Sequence, residues 1–204
     1  MICKGNGVVK DHCFEMNIIV KPYGSAHCSC RPDTTWEREN RDFYSPESVS
    51  SISWTPVLFV RISKAGKCVS PKFASRYWDA FNYGMLMYAE NFIGGSPEAW
   101  ACASCIDHTS ILPFPLFNPV VLDQTGNHFM IRANGVELFD YNKGTKTMVE
   151  EAIVNASQLI SLRIGDVLAI ELQARKVLKE TPEKGTLIEG EFCQNPTFDF
   201  SIIR

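Results

Sequence analysis

Residues 54–67 read Trp54-Thr55-Pro56-Val57-Leu58-Phe59-Val60-Arg61-Ile62-Ser63-Lys64-Ala65-Gly66-Lys67. The apolar, β-branched run at 57–62 is a strand pattern, and Lys64-Ala65-Gly66-Lys67 turns the chain. Beyond the turn, Ser70 precedes a proline placed for the first helical position, so 71–79 is expected to be helical. A second apolar run, 81–88, reads as the next strand. Residues 94–119 are rich in Gly, Ser and Pro and are expected to wrap around an opening. Further on, two apolar runs at 128–133 and 136–141 flank Asn134-Gly135. That dipeptide favours positive φ at both turn positions and so signals a hairpin.

The clearest helix covers 145–162, with Met148, Ala152, Ile153, Ala156, Leu159 and Ile160 on one face at i, i+3, i+4 spacing. A turn at 163–166 leads into a strand at 167–172, and 187–191 and 198–203 read as closing strands. Upstream, 1–27 reads as a strand, a turn and a second strand that includes Met16-Asn17-Ile18-Ile19-Val20. Residues 28–53 are polar and serine-rich and are expected to form a surface loop excursion. Many strands and few helices make this one α+β, mostly β domain over residues 1–204.

The chain has 204 residues, 45% of them hydrophobic and 21% charged, with a net charge of −3. Such a chain can bury one sizeable core. No run of Lys or Arg reaches five, which argues against nucleic acid or an anionic membrane as partner. The start, Met1-Ile2-Cys3-Lys4-Gly5-Asn6-Gly7, has no apolar stretch of a signal peptide, and 106–121 is broken by Asp107 and three prolines. A cytoplasmic location is therefore expected. The eight cysteines read as reduced, mostly buried thiols. One Cys-x-Cys at 28–30 and one Cys-x-x-Cys at 102–105, about seventy residues apart, fit no common zinc spacing.

Taken in order, these segments resemble the fumarylacetoacetate hydrolase family in its small, single-domain bacterial form. Residues 54–67 resemble a family strand carrying Tyr-Glu-x-Glu-x-x-Val-x-Ile. Lys72-Phe73-Ala74 and Tyr77-Trp78-Asp79-Ala80 parallel the turn and helix that follow. Tyr83-Gly84-Met85-Leu86-Met87-Tyr88-Ala89-Glu90 is similar to Val-Gly-x-Asp-x-Thr-Ala-Arg, and Leu162-Arg163-Ile164-Gly165-Asp166 is similar to the family's Leu-x-x-Gly-Asp turn. The resemblance implies a β-rich roll or barrel of mixed sheets with one long helix and several short ones.

It also implies a divalent metal held by three carboxylates, an ion that chelates a 1,3-dicarbonyl or 2-oxo acid substrate. Hard cations need such oxygen ligands. The three positions are Thr55, Val57 and Leu86 here, so no metal or other cofactor is expected. The family's lysine and aspartate of Lys-Gly-Phe-Asp fall on Ser104 and Asp107. Its Thr-Gly-Thr-Pro loop is Ile170-Glu171-Leu172-Gln173, where leucine would obstruct the close approach that glycine allows. One motif is kept: Asp11-His12-Cys13-Phe14-Glu15-Met16 matches Asp-His-x-x-Glu-Met, whose His and Glu activate water. Lys21-Pro22 resembles the family's Lys-Pro-x-Ser.

The resulting expectation is a divergent homologue without the metal-dependent C–C hydrolase or decarboxylase activity, kept for binding or assembly. The alternative is an active hydrolase or decarboxylase of 2-oxo or 1,3-dicarbonyl acids using His12 and Glu15. Lys21, Thr55, Val57, Leu86, Glu90, Ser104 and Asp107 are the candidate pocket residues, and a small carboxylate is the candidate ligand. The resemblance further implies a homodimer, or a heteromer with an intact paralogue. Asp107-His108 reads as a polar loop pair, His27 and His128 as surface or strand residues. Glu171, in an apolar strand, is expected to be buried and paired with Arg132 or Arg175.

Overall fold

The computed structural model describes residues 16–124, 126–179 and 185–204. In chain order its strands are β1 (Ile18–Lys21), β2 (Ser29–Arg31), β3 (Trp36–Glu37), β4 (Phe43–Tyr44), β5 (Ile52–Ile62), β6 (Trp78–Ala89) and β7 (Ser110–Ile111). They continue with β8 (Phe129–Ala133), β9 (Val136–Tyr141), β10 (Val167–Glu171), β11 (Lys176–Val177), β12 (Thr186–Phe192) and β13 (Asn195–Ile203). The helices are α1 (Glu90–Ile93), α2 (Pro97–Cys102) and α3 (Lys146–Leu159). The larger sheet runs β2-β1-β10-β5-β6-β7-β3, with β11 also on β5; the smaller runs β4-β13-β12-β8-β9. This mostly β, mixed-sheet architecture is the one the sequence pattern predicts.

β5 and β6 are antiparallel partners along their lengths and are buried on both faces. Side chains alternate across a strand, so each face of this pair feeds a different core. Trp54, Leu58 and Val60 from β5 join Tyr83, Met85 and Met87 from β6 in the main cluster. There they meet α3 and the aromatic face of the small sheet, including Phe129, Phe192 and Phe198. Val57 and Phe59 point the other way and pack with Leu86, Tyr88, Val20 and Ala169 in a second cluster. Each fully buried side chain of this size contributes about 1.5–3 kcal/mol from area removed from water.

The large sheet curls. Three strands separate β2 from β6 in the sheet order, yet Arg31 of β2 reaches across the fold. Its guanidinium donates to the Met87 carbonyl (2.7 Å), the Thr109 carbonyl (3.2 Å) and the Ser110 hydroxyl (2.9 Å). Arg31 thus clasps the two ends of the curl.

Gly84 sits where β7 comes closest to β6. A Cβ there would stand 2.2 Å from the Ile111 carbonyl oxygen, and a main chain cannot yield as a side chain does. Gly84→Ala is expected to cost about 3 kcal/mol in urea unfolding, at the upper end of overpacking effects. A loss below about 0.5 kcal/mol would mean that β7 shifts freely.

The Asn134-Gly135 hairpin forms as predicted, with both turn residues at positive φ. Four expectations need correction. The long helix starts after Thr145, whose hydroxyl accepts from the Met148 N–H, and ends at Leu159. Its buried stripe is Val149, Ala152, Ile153, Ala156 and Ser157. Leu159 is 67% exposed, because Ser157 takes the last inward position by accepting from the Val69 N–H. The segment 71–79 is a 3-10 helix only over Pro71–Arg76. Trp78 and Asp79 belong to β6, where Asp79 pairs with Arg61 of β5 at 2.9 Å.

Residues 28–53, expected at the surface, supply β2 and β3 to the large sheet and β4 to the small one, and they bury Arg31, Thr35, Glu37, Phe43 and Val49. Their polar side chains bond into the fold, which a polarity count cannot anticipate. The six cysteines among the described residues are free, as expected, yet none is fully buried: four are exposed and two half-buried. They sit in turns, on edges and at helix ends, so smallness did not carry them into the core.

Candidate functional site

On the inner face of the curl, Tyr88 of β6 and Glu171 of β10 meet. The Tyr88 hydroxyl donates to Glu171 Oε1 at 2.6 Å, and the Tyr23 N–H donates to Oε2 at 2.9 Å. Both carboxylate oxygens are thereby engaged. Glu171 is 7% exposed, and a buried carboxylate needs such donors. Burial pushes the Tyr88 phenol well above its ordinary value, with Glu171 adding to the shift and Arg31 and Arg175 opposing it. The phenol stays protonated at neutral pH, which fixes the direction of its bond to Glu171.

Two guanidinium groups pack on the same ring: Arg31 lies 4.3 Å and Arg175 4.8 Å from the Tyr88 centroid. Tyr88 and Glu171 form the floor of a cleft of about 170 Å³, walled by Tyr23, Trp100, Ser104 and Arg175. Trp100 and Ser104 come from 94–119, the segment expected to wrap an opening.

No family model matches the sequence, and no curated protein does either. Solved structures do match. A protein from Yersinia pestis assigned to the fumarylacetoacetate hydrolase family aligns with a TM-score of 0.75 at 16% identity, over 92% of this chain and 92% of that one. A fumarylpyruvate hydrolase from Pseudomonas aeruginosa, solved with Mn2+ and pyruvate, aligns at 0.69 and 14% identity, over 95% and 99%. A 5-carboxymethyl-2-hydroxymuconate delta-isomerase from Mycobacterium smegmatis aligns at 0.72 and 16% identity, over 92% and 78%.

This chain has the fumarylacetoacetate hydrolase fold. Within that fold, the three positions matched to metal carboxylates come together. Thr55 and Leu86 are direct cross-strand partners, and Val57, paired with Gly84, lies one pleat along on the same face. All three are 0% exposed. They do not fit a divalent cation. Val57 and Leu86 carry no side-chain oxygen and pack against Val20, Phe59 and Ala169. Thr55 Oγ1 donates to the Gln173 carbonyl at 2.8 Å. Among the described residues, no three His, Cys, Asp or Glu side chains gather to hold a metal.

The other predicted site residues scatter. Ser104 reaches the cleft. Lys21 pairs in register with Ile170 and lies toward α3, its ammonium donating to the Ser25 carbonyl. Glu90 opens α1, its N–H bonded to the Ser51 carbonyl. Asp107 is exposed in a separate hollow with Arg41, Asp42 and Tyr44. His12 and Glu15 lie outside the described residues. Beside Asp107, the His108 ring bonds Glu37 at 2.8 Å, tying the loop to β3.

Glu171 is buried as expected, but its partners differ from those predicted: Arg132 bonds Glu191 instead, and Arg175 meets Glu171 only through the shared Tyr88 ring. Leu172 does not close the cleft either. It packs on the main core, and the neighbouring side chain that lines the cleft is Glu171. Arg31 and Tyr23 gave no sequence signal, since their partners at 87–110 and 171 are far along the chain.

Proposed function

We propose that this chain is a metal-free relative of the fumarylacetoacetate hydrolases, retained for binding a small ligand or for assembly and not for C–C bond hydrolysis. One observation carries the reading: the three positions matched to metal carboxylates are buried together as Thr55, Val57 and Leu86, with the one hydroxyl among them committed to a main-chain carbonyl. A metal that polarises a substrate carbonyl supplies several kcal/mol of transition-state stabilisation. Losing about 4–6 kcal/mol slows a reaction roughly 10³–10⁴-fold. The proposal includes a cytoplasmic protein that forms a homodimer, or a heteromer with an intact paralogue. Among the described residues no helix is long and apolar enough to cross a membrane.

Calorimetric titration with Mn2+ and Mg2+, followed by assays on acylpyruvates and oxaloacetate with each ion present, tests the reading. The expected result is no stoichiometric ion binding and no turnover above the uncatalysed rate. One ion bound per chain would overturn it. So would turnover abolished by His12→Ala, which would establish the altered-site hydrolase instead. Light scattering of the purified chain checks assembly.

A further inference from the structure

We propose that Cys102 and Cys105 form a redox-active pair, closing to a disulfide by exchange with a small-molecule disulfide such as oxidised glutathione, and that closure resets one wall of the Tyr88–Glu171 cleft. The Cys-x-x-Cys at 102–105 fits no common zinc spacing. It lies at the end of α2, apart from the buried positions of β5 and β6 matched to the metal.

Cys102 is the last residue of α2. A 3.0 Å hydrogen bond from the Cys105 N–H to the Cys102 carbonyl closes the chain into a turn, and such a turn brings its end Cα atoms within about 7 Å. A disulfide spans about 4.4–6.8 Å between Cα atoms, so little main-chain movement is needed. The Cys105 sulfur already folds back over the helix end, its S–H donating to the Ala101 carbonyl at 3.2 Å. Between the two cysteines, Ala103 is buried in the main core and its carbonyl accepts from the Ala89 N–H at 3.1 Å. That anchor holds the turn at the end of β6 and keeps the thiols together before any bond forms. Both cysteines are exposed, so a soluble oxidant reaches them.

Cys28 and Cys30 lack these features. Cys30 lies in β2 with Cys28 just before it, and the Cys28 thiol is bonded to the Asn155 side chain at 3.4 Å. Burial pushes both thiols up, which thins the thiolate that exchange requires. In the exchange, one thiolate of the 102–105 pair attacks a sulfur of the small disulfide, breaking its S–S bond and releasing one small thiol. The second thiolate attacks the protein sulfur of the resulting mixed disulfide and releases the other small thiol. Two protein thiols are oxidised, one small disulfide is reduced, and the two protons end on the released thiols. Trp100 and Ser104, which wall the cleft, belong to the same short segment, so movement of the turn passes to that wall. An exposed disulfide is of the labile kind, open to reduction again.

The test holds the reduced full chain at rising ratios of oxidised to reduced glutathione, quenches with acid, alkylates the remaining thiols and digests with trypsin. Cleavage after Arg76 and Arg132 releases residues 77–132, whose only cysteines are Cys102 and Cys105. The expected result is that this peptide loses both alkyl groups and two hydrogens as the ratio rises, and that dithiothreitol reverses the change. Cys102→Ser and Cys105→Ser, both at exposed positions, are expected to keep the native unfolding midpoint and to carry one glutathione on the remaining cysteine. Closure in the native chain is expected to shift the Trp100 indole resonance in NMR spectra. Both thiols alkylated at the highest ratio, or one glutathione on each cysteine of the native chain, overturns the pair. A bond that leaves the Trp100 resonance in place overturns the link to the cleft.

Discussion

Arg31→Met is expected to unfold with about 3 kcal/mol less free energy than the native chain, the cost of leaving buried acceptors unmatched. The substitution keeps much of the side-chain volume but removes every donor. The Met87 and Thr109 carbonyls and the Ser110 hydroxyl then lose a bond that no water can easily replace, since Arg31 and Ser110 are both buried. Relief from burying a charge opposes this loss, because an isolated guanidinium is costly to desolvate. The bonds win here: the donors are gone while the acceptors stay in place. Hydrogen exchange gives the second readout. If Arg31 clasps the curl, the amides of β2 exchange faster in Arg31→Met while those of β12 and β13 do not. A loss under about 1 kcal/mol with unchanged exchange would mean that the curl holds without it.

Val57→Glu has the other large effect, and its pH dependence is diagnostic. Val57 is 0% exposed among Val20, Phe59, Leu86 and Ala169. A carboxyl placed there resists ionisation, so its folded pKa rises above the unfolded value of about 4.3. Below that value both states hold the proton, and the variant bears only the cost of a polar group in an apolar site. Above it the unfolded chain ionises and the folded one does not, so stability falls by about 1.4 kcal/mol per pH unit until the folded pKa is reached. Unfolding measured from pH 4 to 7 is expected to show this decline relative to the native chain. A small, pH-independent loss would show instead that position 57 faces solvent. Rescue at pH 7 by Mn2+ would show that a cation site survives around it, against the proposed function.

Local pattern made the central strands readable. β5 and β6 are apolar on both faces, and Asn134-Gly135 leaves one turn geometry for the hairpin. Thr55 and Val57 lie 31 and 29 residues before Leu86 in the sequence and are its neighbours on one face. What could not be read is long-range polar bonding. β2, β3 and β4 are too short to carry a pattern, and they are strands because of partners such as Ser110, Ile111 and Ile203. Arg31 looks like any loop arginine until its partners arrive 56–79 residues later. Glu171 stood out as a charge in an apolar strand, yet its tyrosine partner gave no sign, because Tyr88 reads as one more core aromatic.

The pairing of β1 with β10 joins residues 18–21 to 167–170 in parallel register, and β10 in turn covers β5 from Val57 to Arg61. The central sheet therefore cannot close before residues 167–171 are available. As synthesis proceeds from the N-terminus, β5 and β6 can pair early, but β5 keeps an open, apolar edge until residue 171 has left the ribosome. Such edges are templates for wrong strand addition, and contacts across so many residues form slowly. Until β10 arrives, that exposed edge is the part of the nascent chain most open to wrong pairing.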